Sequence, residues 1–213
     1  IPSHPRLQIH VGEQRPRPLV QPAHPNPPAH ASSLNHARSS PTTHFFNSLL
    51  SLFLRAGGSA VGRFQDNSSP KGGAAYVNGS LWTTSTEFVG NTAKTGSGGG
   101  LYFDTSSSGV VVNALFARNS AAAGGTAVNF GADGANGPIV LVHTTVTSPT
   151  VGAGPALYIG SGTVLITNTI VASYTTGIEQ AGGSVVSDYN LFYSAPSAVE
   201  IGSHSIADAD PRF

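Results

Sequence analysis

Gly72–Phe103 reads GGAAYVNGSLWTTSTEFVGNTAKTGSGGGLYF. Within it, a glycine followed by small residues and an apolar–aromatic run occurs twice, as GGAAYV from Gly72 and GGGLYF from Gly98. Outside it the pattern continues as GTAVNF from Gly125, GPALYI from Gly154 and GGSVVS from Gly182, at spacings of 26, 27, 29 and 28 residues. A second landmark keeps step: FQDN at Phe64–Asn67, FVGN at Phe88–Asn91 and FARN at Phe116–Asn119, with weaker echoes at Val146, Val171 and Phe192. Self-similarity at this period marks a solenoid, in which each unit buries its apolar face only by stacking on its neighbours.

The local pattern decides which solenoid. No unit carries apolar residues at i, i+3, i+4 and i+7 over a dozen positions, so a helical repeat is excluded. Pro138–Val146 and Gly162–Val171 are instead short β-branched runs punctuated by Gly, Asn, Ser and Pro. Two or three strands of about 5 residues fill a coil of this length. The fold class expected is all-β, a single-stranded right-handed parallel β-helix of about five to six coils, with its hand taken from the chirality of parallel crossovers.

In such a coil, equivalent positions stack about 4.8 Å apart. Phe64, Phe88, Phe116, Val146 and Val171 are expected as one inward column, and Ala75, Leu101, Val128 and Leu157 as a second. Tyr76, Tyr102, Asn129 and Tyr158, one residue later, are expected to face the other way. Asn67, Asn91 and Asn119 read as a turn ladder of amides bonded between rungs, at a position tolerant of left-handed geometry.

The paired GGA-type and FxxN motifs resemble the repeats of polymorphic outer membrane proteins, whose surface passenger is a right-handed β-helix. DYNLF at Asp188–Phe192 with HSIADADPRF at His204–Phe213 is similar to the closing segment of bacterial β-helix proteins of the choice-of-anchor group. The resemblance covers roughly residues 57–213. It implies an extracellular or cell-surface, outer-membrane-associated location more than any chemistry. The FxxN landmark decays after Asn119 and no membrane-anchoring barrel follows, so a piece of a longer chain, truncated at its C-terminus, is expected.

Composition divides the chain near Gly57. Residues 1–56 hold nine of the fifteen prolines, six of the eight histidines and one acid, Glu13. With no apolar period, they are expected to form a disordered leader. His4, His10, His24, His30 and His36 share no ligand-type spacing, so a metal or nucleic-acid role is not expected. The apolar run FFNSLLSLFL at 45–54 is half a membrane span. It reads either as a signal-peptide core or as a short amphipathic helix capping the solenoid. Residues 57–213, the expected β-helix, carry five basic residues against nine acids, which leaves no electrostatic footprint for phosphate backbones. Zero cysteine removes disulfides and thiolate chemistry.

Right-handed β-helices include pectate-lyase-like enzymes, which need converging carboxylates, with calcium or a base. Glu87, Asp104, Asp133, Glu179 and Asp188 occupy unrelated repeat positions. Glu87 and Arg118 form the best stack-related pair, read as a surface ion pair. Asp208 and Asp210 alternate as turn acids. His143 falls in a polar ladder with Ser85, Asn113 and Asn168 and is expected to be a satisfied buried member of it. Thr83, Thr84, Thr144, Thr145, Thr167 and Thr169 are too irregular for an ice-binding array. No catalytic, cofactor-binding or metal-ligating residue is therefore assigned, and no cofactor is expected.

The function expected is a non-enzymatic surface or secreted module, adhesin-like or glycan-contacting, monomeric or part of a longer chain. Its partners are extracellular glycans or a host surface, with no nucleic acid and no membrane span. A carbohydrate-active lyase or hydrolase is the alternative, and a structural fragment of a surface passenger the second alternative. Contacts are expected at the insertions Asp104–Gly109 and Gly131–Gly137.

Overall fold

The computed structural model describes residues 45–46, 52–55, 58–131, 137–151 and 154–212. The reading of residues 1–44 as a leader lies outside the described residues. Those described form a parallel β-solenoid of about five turns, with every paired strand parallel to its neighbour.

Three faces make the coil. Face 1 is a six-stranded sheet whose rungs include Ala75–Asn78, Leu101–Phe103, Val128–Phe130, Pro155–Ile159 and Thr176–Gln180. Face 2 stacks the first half of Ser80–Val89 on Ser108–Val112, Ile139–Val142, Thr163–Thr167 and Ser184–Asp188. Face 3 stacks Gly62–Gln65, whose strand begins on face 2 as Gly58–Ala60 beside Leu81–Thr83, and the second half of Ser80–Val89 on Leu115–Ala117, Thr145–Thr147, Ile170–Ala172, Leu191–Tyr193 and Ile206–Ala207. Ser80–Val89 runs through both of the last two faces, so they form one sheet.

Both expected columns are present. Phe64, Phe88, Phe116, Val146, Val171 and Phe192 occupy equivalent positions on successive rungs, and all are buried. The ring pairs Phe64–Phe88 and Phe88–Phe116 stack at 5.1 and 4.6 Å. Ala75, Leu101, Val128, Leu157 and Ile178 form the second column. Each buried side chain contributes roughly 1.5–3 kcal/mol.

The asparagine ladder is also present, with a different backbone. Asn67 donates its main-chain and side-chain N–H groups to Asn91 Oδ1, each at 3.0 Å, and Asn91 does the same to Asn119 at 2.9 and 3.0 Å. The left-handed residue is the one before each: Asp66, Gly90 and Arg118 have φ of 53°, 68° and 56°. That corner turns the main-chain N–H of the asparagine inward, where only an amide one rung up reaches it. The ladder stops at Pro149, and Tyr174 fills the equivalent interior position two rungs beyond Asn119. The Tyr174 hydroxyl lies near Thr126 but makes no hydrogen bond of normal geometry. Tyr174→Phe should therefore leave thermal stability unchanged or raise it by up to about 1 kcal/mol, whereas Tyr174→Ala should cost about 3–5 kcal/mol.

Three expectations need correction. Within the apolar run at 45–54 the described residues form no capping helix: Phe45–Phe46 and Leu52–Arg55 are strands in parallel register with Arg63–Phe64 and Ala75–Asn78. An extended chain satisfies the backbone groups of the open rung edge, which a helix laid over it would leave unpaired. Next, GGSVVS at Gly182 is not the fifth face 1 rung. That rung is Thr176–Gln180, and Val185 of GGSVVS pairs with Val164 on face 2. The last coil is 21 residues, from Leu157 to Ile178, because its turns carry no insertion. Finally, Ser85, Asn113, His143 and Asn168 do form a ladder, joined by Tyr189, but all are exposed. Their common property is a φ of 50–58°, a corner that short polar side chains tolerate. The buried corner residues are their successors: Thr86, Thr144 and Thr169, each donating a hydroxyl to a main-chain carbonyl two residues back, and Asn190.

Candidate functional site

The outer surfaces of the faces differ in what they offer a ligand. On face 2 the outward row is Trp82, Val110, Val140, Leu165 and Val186, with Trp82 56 % and Val186 60 % exposed. It gives packing area with a single directional group, the Trp82 indole N–H. On face 1 the outward row is Tyr76, Tyr102, Asn129, Tyr158 and Glu179. It combines aromatic surface with phenol hydroxyl and carboxylate groups, while Asn129 on the middle rung is buried.

The parity of the strand puts that row outside. In Ala75–Asn78, Leu101–Phe103 and Pro155–Ile159 the residues flanking each tyrosine are buried in the core, so the tyrosine between them must point outward. The Tyr76 and Tyr102 rings stack at 5.2 Å, 11° from parallel. Rings stacked along the solenoid axis turn their edges and hydroxyls outward. Asn129 interrupts the column between Tyr102 and Tyr158. The Lys71 ammonium lies 5.3 Å from the Tyr102 ring centroid, within cation–π range. Asp104, at the corner after face 1, accepts a hydrogen bond from the Tyr76 phenol. Partial burial first, then that carboxylate, raises the phenol's pKa above its ordinary value, so it stays a donor. Glycines 131 and 160 flank the row. A Cβ at Gly131 would stand 3.4 Å from the Tyr102 hydroxyl, and one at Gly160 3.5 Å from the Tyr158 ring. Their absence keeps that side of the phenols uncovered by side chains.

A second polar cluster sits on the last coil. Asp188 Oδ1 accepts the main-chain N–H groups of Tyr189 at 2.8 Å and His204 at 2.9 Å, and Asp188 Oδ2 lies 2.8 Å from His204 Nδ1. The imidazole stacks on Tyr189 at 4.5 Å, 3° from parallel. The hydrogen bond from His204, aided by the two N–H groups, holds the Asp188 carboxyl below its usual range.

The acids weighed from the sequence are dispersed. Glu87 is on face 3, where its partner is Arg63 at 3.3 Å and not the expected Arg118. Parallel register puts Arg63 directly opposite Glu87, whereas Arg118 is itself the left-handed residue at the corner that ends the next rung. Asp104 lies at the corner between faces 1 and 2, Glu179 on face 1 and Asp188 at the end of face 2. Asp133 lies outside the described residues. Asp208 and Asp210 lie in the C-terminal segment, where Asp210 accepts the main-chain N–H of Arg212 at 2.8 Å. Among the described residues no three His, Asp or Glu side chains are grouped as a metal site requires. Of the threonines, Thr83, Thr144 and Thr169 are buried, so they form no flat outer array. The expected insertions share one corner, between faces 1 and 2. There Asp104–Ser107 is a turn anchored by the Ser107 hydroxyl on Val77 O at 2.8 Å, and residues 132–136 lie outside the described residues.

Sequence reasoning placed the tyrosine row on the outer face without reading it as a site. The Asp188–His204 pair was missed, because its members lie 16 positions apart and no repeat position links them.

No protein-family model, curated protein or solved structure matches this chain. No helix among the described residues is long and apolar enough to cross a membrane.

Proposed function

We propose that the solenoid is a non-enzymatic, surface-displayed or secreted module that contacts extended glycans along face 1. The observation that carries this reading is the set of outward groups Tyr76, Tyr102, Tyr158 and Glu179 in one register row, with Lys71 and Asp104 at its side. Phenols suit sugars because one group offers both an apolar edge for C–H surface and a hydroxyl for hydrogen bonding. The rungs repeat about every 4.8 Å, close to the length of one sugar unit in an extended chain. Polar-tipped rings on adjacent rungs, Tyr76 and Tyr102, and again at Tyr158 two rungs on, meet units of the chain in equivalent ways. The resemblance of the GGA-type and FxxN motifs to polymorphic outer membrane protein repeats supports display at a cell surface. The dispersal of the acidic residues over different faces favours binding over cleavage.

The test is a glycan array followed by titration calorimetry. Tyr102→Ala should weaken binding about 10-fold, the loss of one anchor of about 1.4 kcal/mol, while Trp82→Ala on face 2 should leave it unchanged. A blank array together with cleavage of a sugar polymer would replace this reading with the enzymatic one.

A further inference from the structure

After Tyr193 the chain adds one short parallel strand to face 3, Ile206–Ala207, and otherwise leaves the regular coil to lie along the ends of the other two faces. Among the described residues, Ser184–Asp188 is the last strand of face 2 and Thr176–Gln180 the last of face 1, so each presents an edge with no further strand on it. Unpaired edges of this kind invite association with other chains. The segment from Ala195 to Asp208 covers them, although its only regular pairing is the two-residue strand Ile206–Ala207 on Leu191–Phe192. Gly177 donates its N–H to Pro196 O at 2.8 Å, and Ala198 donates to Ile178 O at 2.9 Å. Asn190 donates its N–H to the Ser205 hydroxyl at 3.1 Å. Ala195 is buried in the core, and Val199 and Ile201 pack against it.

Beside these bonds, the turn at Gly202–His204 is attached through one carboxylate. Asp188 receives both the main-chain N–H and the imidazole of His204. Gly202 lies so close that a Cβ there would stand 2.6 Å from the carboxylate. The titratable groups facing Asp188 are His204 and, stacked on that ring, Tyr189; its register neighbour on face 2, Thr167, carries none.

We propose that residues 195–208 form an acid-releasable cap over the open end of the solenoid, latched by Asp188 onto His204. Protonating Asp188 removes the charge that both His204 donors address and turns one acceptor oxygen into a hydroxyl. The carboxyl titrates below its unfolded value. The latch therefore contributes fully above the ordinary carboxylate pKa of about 3.9, and its contribution is lost as pH falls through the lowered value. The interior ladders that hold the coils together are amide and apolar and contain no group that titrates in this range.

Hydrogen exchange read as protection factors, which divide out the intrinsic pH dependence, tests this on the full chain. Acidification should strip protection from 195–208 while the amides of Leu101–Phe103 and Val128–Phe130 keep theirs. Asp188→Asn, and His204→Phe, which keeps a ring on Tyr189, should each lose cap protection already at neutral pH and show no further acid response there. Cap protection that persists until the coils unfold would overturn the proposal. So would either variant keeping wild-type protection, or both losing protection throughout the solenoid.

Discussion

Phe116→Ala should destabilise the solenoid by about 3–5 kcal/mol, lowering Tm by roughly 10 °C or more. Phe116 lies mid-column, its ring 4.6 Å from that of Phe88 and its register partner on the other side Val146. It also lies under the backbone of Gly100, where a Cβ would come within 2.8 Å of the ring. In a bundle, neighbouring elements could slide to fill part of the space left by alanine. Here the rungs above and below are fixed by parallel hydrogen-bond ladders on both sides, so little of the cavity can close. Phe116→Leu, which keeps most of the volume, should cost about 1–2 kcal/mol. Urea unfolding of the two variants measures both. A Phe116→Ala cost below that of Phe116→Leu would contradict the column.

Asn91→Ala is expected to be nearly as damaging although it removes no apolar contact. Asn91 is fully buried. Its Oδ1 accepts two N–H groups of Asn67, and its Nδ2 donates to Phe64 O and Asn119 Oδ1, each at 3.0 Å. Alanine leaves four groups on three residues short of a partner, and a buried unsatisfied group costs about 1–3 kcal/mol. With partial relaxation the total is on the order of 3–5 kcal/mol. Thr92→Ala, at the next residue on the outside of the corner, removes only a hydroxyl that pairs with Ser120 at the surface. It should change stability by less than about 0.5 kcal/mol. Equal effects at positions 91 and 92 would mean that the amide ladder does not hold the corner.

The columns were legible in the sequence because stacking in register makes equivalent residues chemically alike. Phe64, Phe88 and Phe116 repeat because each rung presents the next with the same apolar slot. The same logic recovered the asparagine ladder and the outward tyrosines. It failed where the coil length changed: GGSVVS looks like GGAAYV, but after a 21-residue coil those glycines fall at the corner before face 2. It also failed where chemistry alone was read and backbone shape was not. His143 shares its ladder with Ser85 and Asn113 because the corner needs a left-handed residue, and such a corner projects the side chain outward. The latch between Asp188 and His204 left no periodic trace, since it joins the last coil to a segment that no longer repeats.

Register between successive rungs is the claim on which the rest stands, and the absence of cysteine from the chain makes it directly measurable. Thr92 and Ser120 are parallel register partners on the outside of one corner, their hydroxyls 3.0 Å apart. The double variant Thr92→Cys with Ser120→Cys should close a disulfide under mild oxidation, because adjacent rungs lie about 4.8 Å apart, within the Cα separations that bridge without backbone movement. Thr92→Cys with Ala121→Cys should not, since position 121 turns to the other side of the strand. Equal crosslinking of both pairs, or none of the first, would contradict the solenoid described above.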